Sequence, residues 1–195
     1  MGRIAAIFFA LLLAGCTTVR VTEPPRTATE ELLISSAADR AAEKLSADIS
    51  PGSKVFVDSQ YFEGTDAKYA VAAIRDRLLR EGANLTDDRK SADTVIEIRS
   101  GAQSINNEST LIGIPSFQIP IPLAGSFTFP EIALYKEEER TGVAKMAMTG
   151  YGEKDGKLEL SDGPEYGFSH RTKYTVLFFV SWTDDDSIPK DADGG

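Results

Sequence analysis

The chain has 195 residues, 42% of them hydrophobic, and a formal net charge of −9. That length and apolar content suit one domain with a sizeable core. The acidic balance excludes nucleic-acid binding, which draws its affinity from cations that displace counterions. One cysteine and one histidine exclude an intrachain disulfide and the usual zinc sets, leaving only carboxylates for a hard cation. No metal and no cofactor is expected.

At the start of the chain, a single early cation, Arg3, precedes an apolar run from Ile4 to Leu13, and two small residues, Ala14 and Gly15, stand before Cys16. This pattern predicts a secretory signal over residues 1–15. A spanning helix would need roughly 20 apolar residues. Leu12-Leu13-Ala14-Gly15-Cys16 resembles the lipobox of bacterial lipoproteins. The resemblance implies cleavage before Cys16 and a thioether-linked, N-acylated anchor on it, with acyl chains such as palmitate. With Thr17 rather than aspartate next, it also implies release to the outer membrane, facing the periplasm. Removal of residues 1–15 takes away one cation and no anion, moving the formal charge from −9 to about −10. Adhesion of the domain to anionic headgroups is therefore disfavoured, and the lipid does the anchoring.

Residues 16–28, with Pro24-Pro25, read as a lipidated tether that reaches no more than roughly 40 Å. Thr27 and Glu30 have capping-box spacing ahead of Ile34, Ala38, Ala41, Leu45 and Ile49, which predicts a helix ended by Ser50-Pro51-Gly52. Lys54 to Asp58 reads as a strand buried on both faces. Thr65 is placed to cap a second helix carrying the stripe Val71, Ile74 and Leu78, with Gly82 at its left-handed end. Ala83 to Thr86 predicts a short strand and Thr94 to Ala102 a longer one. Strand, helix and strand within about 35 residues point to a right-handed crossover with a parallel pair.

Beyond residue 128 hairpins are expected. Ile132 to Glu138 and Val143 to Tyr151 flank a turn at Arg140-Thr141-Gly142, and Lys154-Asp155-Gly156-Lys157 is a second turn. Lys173 to Trp182 reads as one final strand run, and 183–195 as a disordered acidic tail. The predicted fold is α+β: a mixed sheet with an N-terminal strand-helix-strand unit, C-terminal antiparallel hairpins and two main helices, forming a single domain over 29–182.

Glu31-Leu32-Leu33-Ile34-Ser35, Ala38-Asp39-Arg40-Ala41, Val55-Phe56-Val57-Asp58 and the stretch from Leu111 to Lys145 resemble an uncharacterised bacterial envelope lipoprotein family across roughly residues 30–180. That resemblance implies no mechanism. Gly82, Asp88-Arg89 and Ala92-Asp93-Thr94-Val95 carry a weaker, fold-level resemblance to the curli exporter and the peptidoglycan-synthase activators.

Candidate chemistry is thin. His170 follows Ser169, but no Gly-x-Ser-x-Gly elbow exists, so a hydrolase triad is only an alternative reading and a non-enzyme is expected. Asp87-Asp88 and Asp184-Asp185-Asp186 lack calcium-loop spacing and read as solvated charge runs. Asp58, Gln60 and Tyr61 stand at the carboxyl end of the first strand, where ligands of open α/β sheets gather, and could rim a pocket. The alternative is that Asp58 only orders the following loop, which is the favoured reading.

Ser109 to Pro130 is the least ordinary segment: 22 residues without charge, four prolines, and apolar side chains that include Ile114, Phe117, Ile119, Ile121 and Leu123. The prolines forbid a spanning helix and a central strand. Two placements survive. One is a long loop packed over the sheet as part of the core, the favoured one; the other is an exposed arm that docks on a partner, a sister subunit or the bilayer. Together these features lead us to expect a lipid-anchored envelope lipoprotein, a binding or assembly component held at the membrane through Cys16 and meeting an envelope protein partner. An oligomeric outer-membrane export or pore component is the alternative.

Overall fold

A computed structural model describes residues 26–121 and 125–188. The expected signal peptide, Cys16, most of the tether, Leu123 and the chain beyond 188 lie outside the described residues.

Helix α1 (Ala28–Lys44) begins at the predicted capping box: Glu30 N–H donates to Thr27 Oγ1 at 3.3 Å, and Thr27 N–H donates to Glu30 Oε2 at 3.0 Å. The Thr27 backbone N–H holds the Glu30 carboxyl below the usual range. The helix is shorter than its apolar pattern predicts. After Leu45, carboxylates capture the next backbone donors, Asp162 taking Ser46 N–H at 2.7 Å and Glu81 taking Ala47 N–H at 2.9 Å.

Strand β1 (Lys54–Tyr61), helix α2 (Ala67–Arg80), strand β2 (Asn84–Leu85) and strand β3 (Thr94–Ile114) form the expected crossover, with β1 parallel to both β2 and β3. Thr65 does not cap α2. Arg26 binds Thr65 Oγ1 at 3.0 Å and Asp66 at 3.3 Å instead, and Asp66 fills the cap position at φ 55° without a side-chain bond to the helix. Gly82 takes the left-handed conformation, φ 97°.

Strands β4 (Phe117–Ile121) and β5 (Gly125–Phe129) pair only with each other. Strands β6 (Ile132–Gly152), β7 (Leu158–Val176) and β8 (Val180–Asp185) complete a mixed six-stranded sheet of order β2-β1-β3-β6-β7-β8, antiparallel from β3 onward. The α+β class and mixed sheet are as predicted.

Four further expectations change. Arg140-Thr141-Gly142 is no turn, because β6 runs through it paired on both sides. Ser109 to Pro130 is no packed loop: its first part extends β3, and the rest is the β4–β5 hairpin, exposed except for a partly covered Phe129. Pro120 is tolerated there because a two-stranded ladder leaves both outer edges unpaired. The final run from Lys173 to Trp182 folds back at Leu177-Phe178-Phe179, making β7 and β8. The described part of the acidic tail, up to Ile188, is held to the domain, Arg171 meeting Asp185 at 2.7 Å and Arg40 meeting Asp186 at 3.1 Å.

The core lies between the helices and one face of the sheet, where Leu45, Ile74 and Leu78 meet Val55, Ile96, Ile98, Ala144, Met146 and Met148. Over β6 and β7 the helix lies closer than side chains allow. A Cβ on Gly167 would stand 1.9 Å from the Ala37 carbonyl oxygen, and one on Gly142 would stand 2.4 Å from the Leu33 carbonyl oxygen. Alanines at 37, 38, 41 and 42 complete this seam. Gly167→Ala is therefore expected to cost at least about 1–3 kcal/mol, as overpacking does. Gly101→Ala, whose new methyl meets only the flexible Lys145 side chain, is the control. Urea unfolding of both variants checks this; equal midpoints would refute the seam.

Candidate functional site

Asp58, Gln60 and Tyr61 do not form one rim. The Asp58 carboxylate accepts from Arg89 at 2.8 Å, and Arg89 also donates to the Tyr151 hydroxyl at 2.8 Å. Tyr151 first, then Asp58, raise the Arg89 guanidinium above its usual value. Asp58 Oδ1 accepts from Gln60 N–H at 3.0 Å. The carboxylate thus fastens the 3-10 turn Arg89–Ser91 ahead of β3 and shapes its own strand end, a structural duty.

Gln60 and Tyr61 instead line a shallow groove of about 610 Å³ with Glu63, Gly64 and Ser100 to Gln103. At its floor Gln103 is only 8% exposed, and neither its amide nitrogen nor its oxygen has a partner among the described residues. A buried unpaired amide costs stability comparable to a lost hydrogen bond. Sequence reading missed Gln103, because only the β3 bulge near Gly101 and the Gly64 loop above place it inward.

Ser169 and His170 are adjacent but face apart. Ser169 is fully buried and donates to the Leu33 carbonyl at 2.6 Å, serving the helix seam. His170 Nδ1 stands 3.3 Å from Asp186 Oδ2, and His170 N–H donates to Asp186 Oδ1 at 2.7 Å. The structure therefore gives the imidazole a carboxylate partner and turns the neighbouring hydroxyl away from it, which leaves the Ser169–His170 triad without its nucleophile. Burial pushes the Asp186 carboxyl up, but the His170 N–H and Arg40 outweigh it and hold it below 3.8.

The exposed apolar side chains gather elsewhere. In β4–β5, Phe117 opposes Phe129, Ile119 opposes Phe127 and Ile121 opposes Gly125, while Gln118, Thr128 and Ser126 share the other face with Pro120. Cross-strand partners project to the same side, so the hairpin is apolar on one face and largely polar on the other. Phe117 and Phe129 stack at 5.0 Å between ring centroids. The β7–β8 turn joins this end of the molecule: Leu177 N–H donates to the Leu134 carbonyl and Phe178 N–H to the Ala133 carbonyl, both at 2.9 Å. Ala133 pairs with Gly113, and Ile132 with Ile114, at the close of the β3–β6 ribbon. Phe178 and Phe179 are 65% and 69% exposed. Leu177 and Phe178 hold φ of 50° and 57°, a left-handed conformation costly for large side chains.

Of the sequence-predicted contact residues, Ile114, Phe117, Ile119 and Ile121 share this end, whereas Gln60 and Tyr61 line the groove; Leu123 lies outside the described residues. The Leu177-Phe178-Phe179 turn was missed, since it carries none of the residues that mark turns in sequence.

A family model described as "Family of unknown function (DUF6655)" matches residues 10–163. The chain belongs to this family. The matched stretch starts inside the apolar run before Cys16 and ends at Gly163 in β7, so it includes the whole β3–β6 ribbon and the β4–β5 hairpin. Comparison with curated proteins returns no match.

Two outcomes test the groove and the dyad. Gln103→Met is expected to raise stability by about 1 kcal/mol by removing the unpaired amide, read as a higher urea midpoint; a lower midpoint would show that the amide is satisfied. Because the Asp186 carboxyl is depressed in the folded chain, its stabilisation is present above 3.8, the ordinary value, and fades as pH falls through the lower folded value. The stability gap between the native chain and Asp186→Asn should therefore shrink only below that pH; a gap that is constant with pH would refute it.

Proposed function

We propose that this protein is a lipid-anchored envelope lipoprotein without catalytic activity, processed before Cys16 and held on the periplasmic side of the outer membrane as a binding or assembly component. The observation that carries the reading is the direction of α1. Glu30 stands 4.0 Å from Arg140, Leu33 meets Ser169, Arg40 donates to the Phe168 carbonyl and Lys44 to the Tyr166 carbonyl, each at 2.5 Å. The helix thus runs antiparallel to β7, and its first residue is the end nearest the ribbon tip. Arg26, the first described residue, therefore stands toward the side of the hairpin.

From the level of Asn107, beside Arg140, to Ile114 the ribbon continues for seven residues, about 23 Å at about 3.3 Å each. Nine residues, and so ten Cα–Cα steps, connect Cys16 to Arg26, and they reach at most about 36 Å. An anchor at Cys16 can therefore lie level with the ribbon end. The outer edge of β8, whose residues are largely exposed, offers unpaired backbone groups to an envelope protein partner by strand addition.

An oligomeric export component remains the second reading, favoured by the uncharged, exposed hairpin. The five-residue strands β4 and β5 fall short of the roughly 9–11 residues that a spanning strand needs. No described helix is long and apolar enough to cross a membrane. Cys16→Ala is expected to move the protein from the membrane to the soluble fraction and to abolish metabolic labelling by fatty acid. Undiminished membrane retention without label would refute the anchored reading.

A further inference from the structure

We infer that the ribbon end is a second, non-covalent membrane contact: the apolar face of β4–β5 and the Leu177-Phe178-Phe179 turn enter the interfacial layer of the same bilayer that holds the lipid on Cys16. The inference rests on the anchored reading for its choice of occupant. Exposed apolar side chains of this size, gathered at one end, mark a surface for a partner or a membrane.

Three observations select the bilayer. The tether is long enough to reach that end from Arg26, where α1 begins on the same side. The chain is uncharged from Ser109 to Pro130, and the first charges met below the tip, Glu131 and Lys136, neutralise one another at 3.0 Å. Below the apolar tip stands a set of amphipathic rings: Tyr135 beside Val176, and Tyr174 stacked on Trp182 at 5.3 Å. Tyrosine and tryptophan at such a boundary suit the headgroup level, where the ring is half wet.

Depth follows from length. Five strand residues span about 17 Å, too short for the roughly 30 Å hydrocarbon core, so the hairpin dips into one leaflet and does not cross it. Charge selects the lipid class. Glu137, Glu138 and Glu139 follow directly below the tip, and the domain is acidic overall, so zwitterionic headgroups are preferred over anionic ones. The left-handed turn at Leu177 and Phe178 fits this role, because a relaxed turn would place small polar residues where the membrane takes large apolar ones.

Trp182 is the only tryptophan and is half exposed, so its emission reports the contact directly. The mature lipidated chain, reconstituted in phosphatidylcholine vesicles, is expected to show Trp182 emission shifted to shorter wavelength and quenched by lipid brominated near the headgroup. Phe178→Asp should return the emission to its aqueous position while the protein still floats with the vesicles. The mature Cys16→Ala chain, given an excess of the same vesicles, should show the same quenching, and Phe178→Asp should weaken its partitioning by at least about tenfold. Admixed phosphatidylglycerol should weaken it at low salt.

Flotation with unquenched, water-exposed Trp182 would overturn the inference and leave the anchor standing. Loss of flotation with quenching retained in excess vesicles would overturn only the anchor. Stable oligomers whose Trp182 is shifted but not quenched by lipid would assign the tip to a second copy of the chain and overturn the inference.

Discussion

The fold depends on how closely α1 approaches the sheet. Gly142 and Gly167 present bare backbone to the Leu33 and Ala37 carbonyls, and Ser169 donates to the Leu33 carbonyl from within the seam. At that separation a helix of small residues buries itself without large side chains; only Leu33, Ile34 and the alanines are fully covered along it. The contact fixes the helix along β6 and β7. It therefore also fixes the end of the sheet at which α1 begins.

From this follows an unequal distribution of polarity. At the far end of the sheet the helix and its carboxylate caps cover a packed core of aliphatic and methionine side chains. Past the start of α1 the same strands continue without a helix above them, and burial gives way to exposure along β3 and largely to half-burial along β6. Arg40 and Arg171 draw Asp186 and Asp185 onto the sheet at the boundary. Beyond it the sheet carries glutamates, lysines and tyrosines, then, past the Glu131–Lys136 pair, the uncharged hairpin. The gradient runs along the strands, so one molecule offers a wet body and a greasy end.

Much of this was legible in the sequence where the signal is local. The Thr27–Glu30 box, the β1–α2–β3 crossover and the glycine closing α2 rest on neighbours a few residues apart. Signals that depend on distant partners misled. Arg140-Thr141-Gly142 has the residues of a turn, but Gly142 is small for the sake of Leu33, far back in the chain. Asp184 to Asp186 look like a solvated run because Arg40 and Arg171 are invisible from their position. The apolar contact residues from Ile114 to Ile121 could be picked out by composition, yet their exposure could not, since a buried loop and a free hairpin share the same uncharged, proline-marked alphabet. Leu177-Phe178-Phe179 gave no turn signal at all.

The two membrane contacts would divide the work. Under the proposed anchoring, acyl chains on Cys16, each methylene worth roughly 0.8 kcal/mol when buried, would supply far more hold than a short hairpin can. What a lipid attached at one point lacks is orientation. An apolar tip confined near the leaflet by such an anchor would bind at a high effective concentration and need little affinity of its own. Its contribution would be to stand the sheet upright, turn the acidic body away from the headgroups and present the β8 edge at a fixed height above the membrane. A partner reaching that edge would then meet one orientation instead of many, and the entropy of alignment would already have been lost before it arrives.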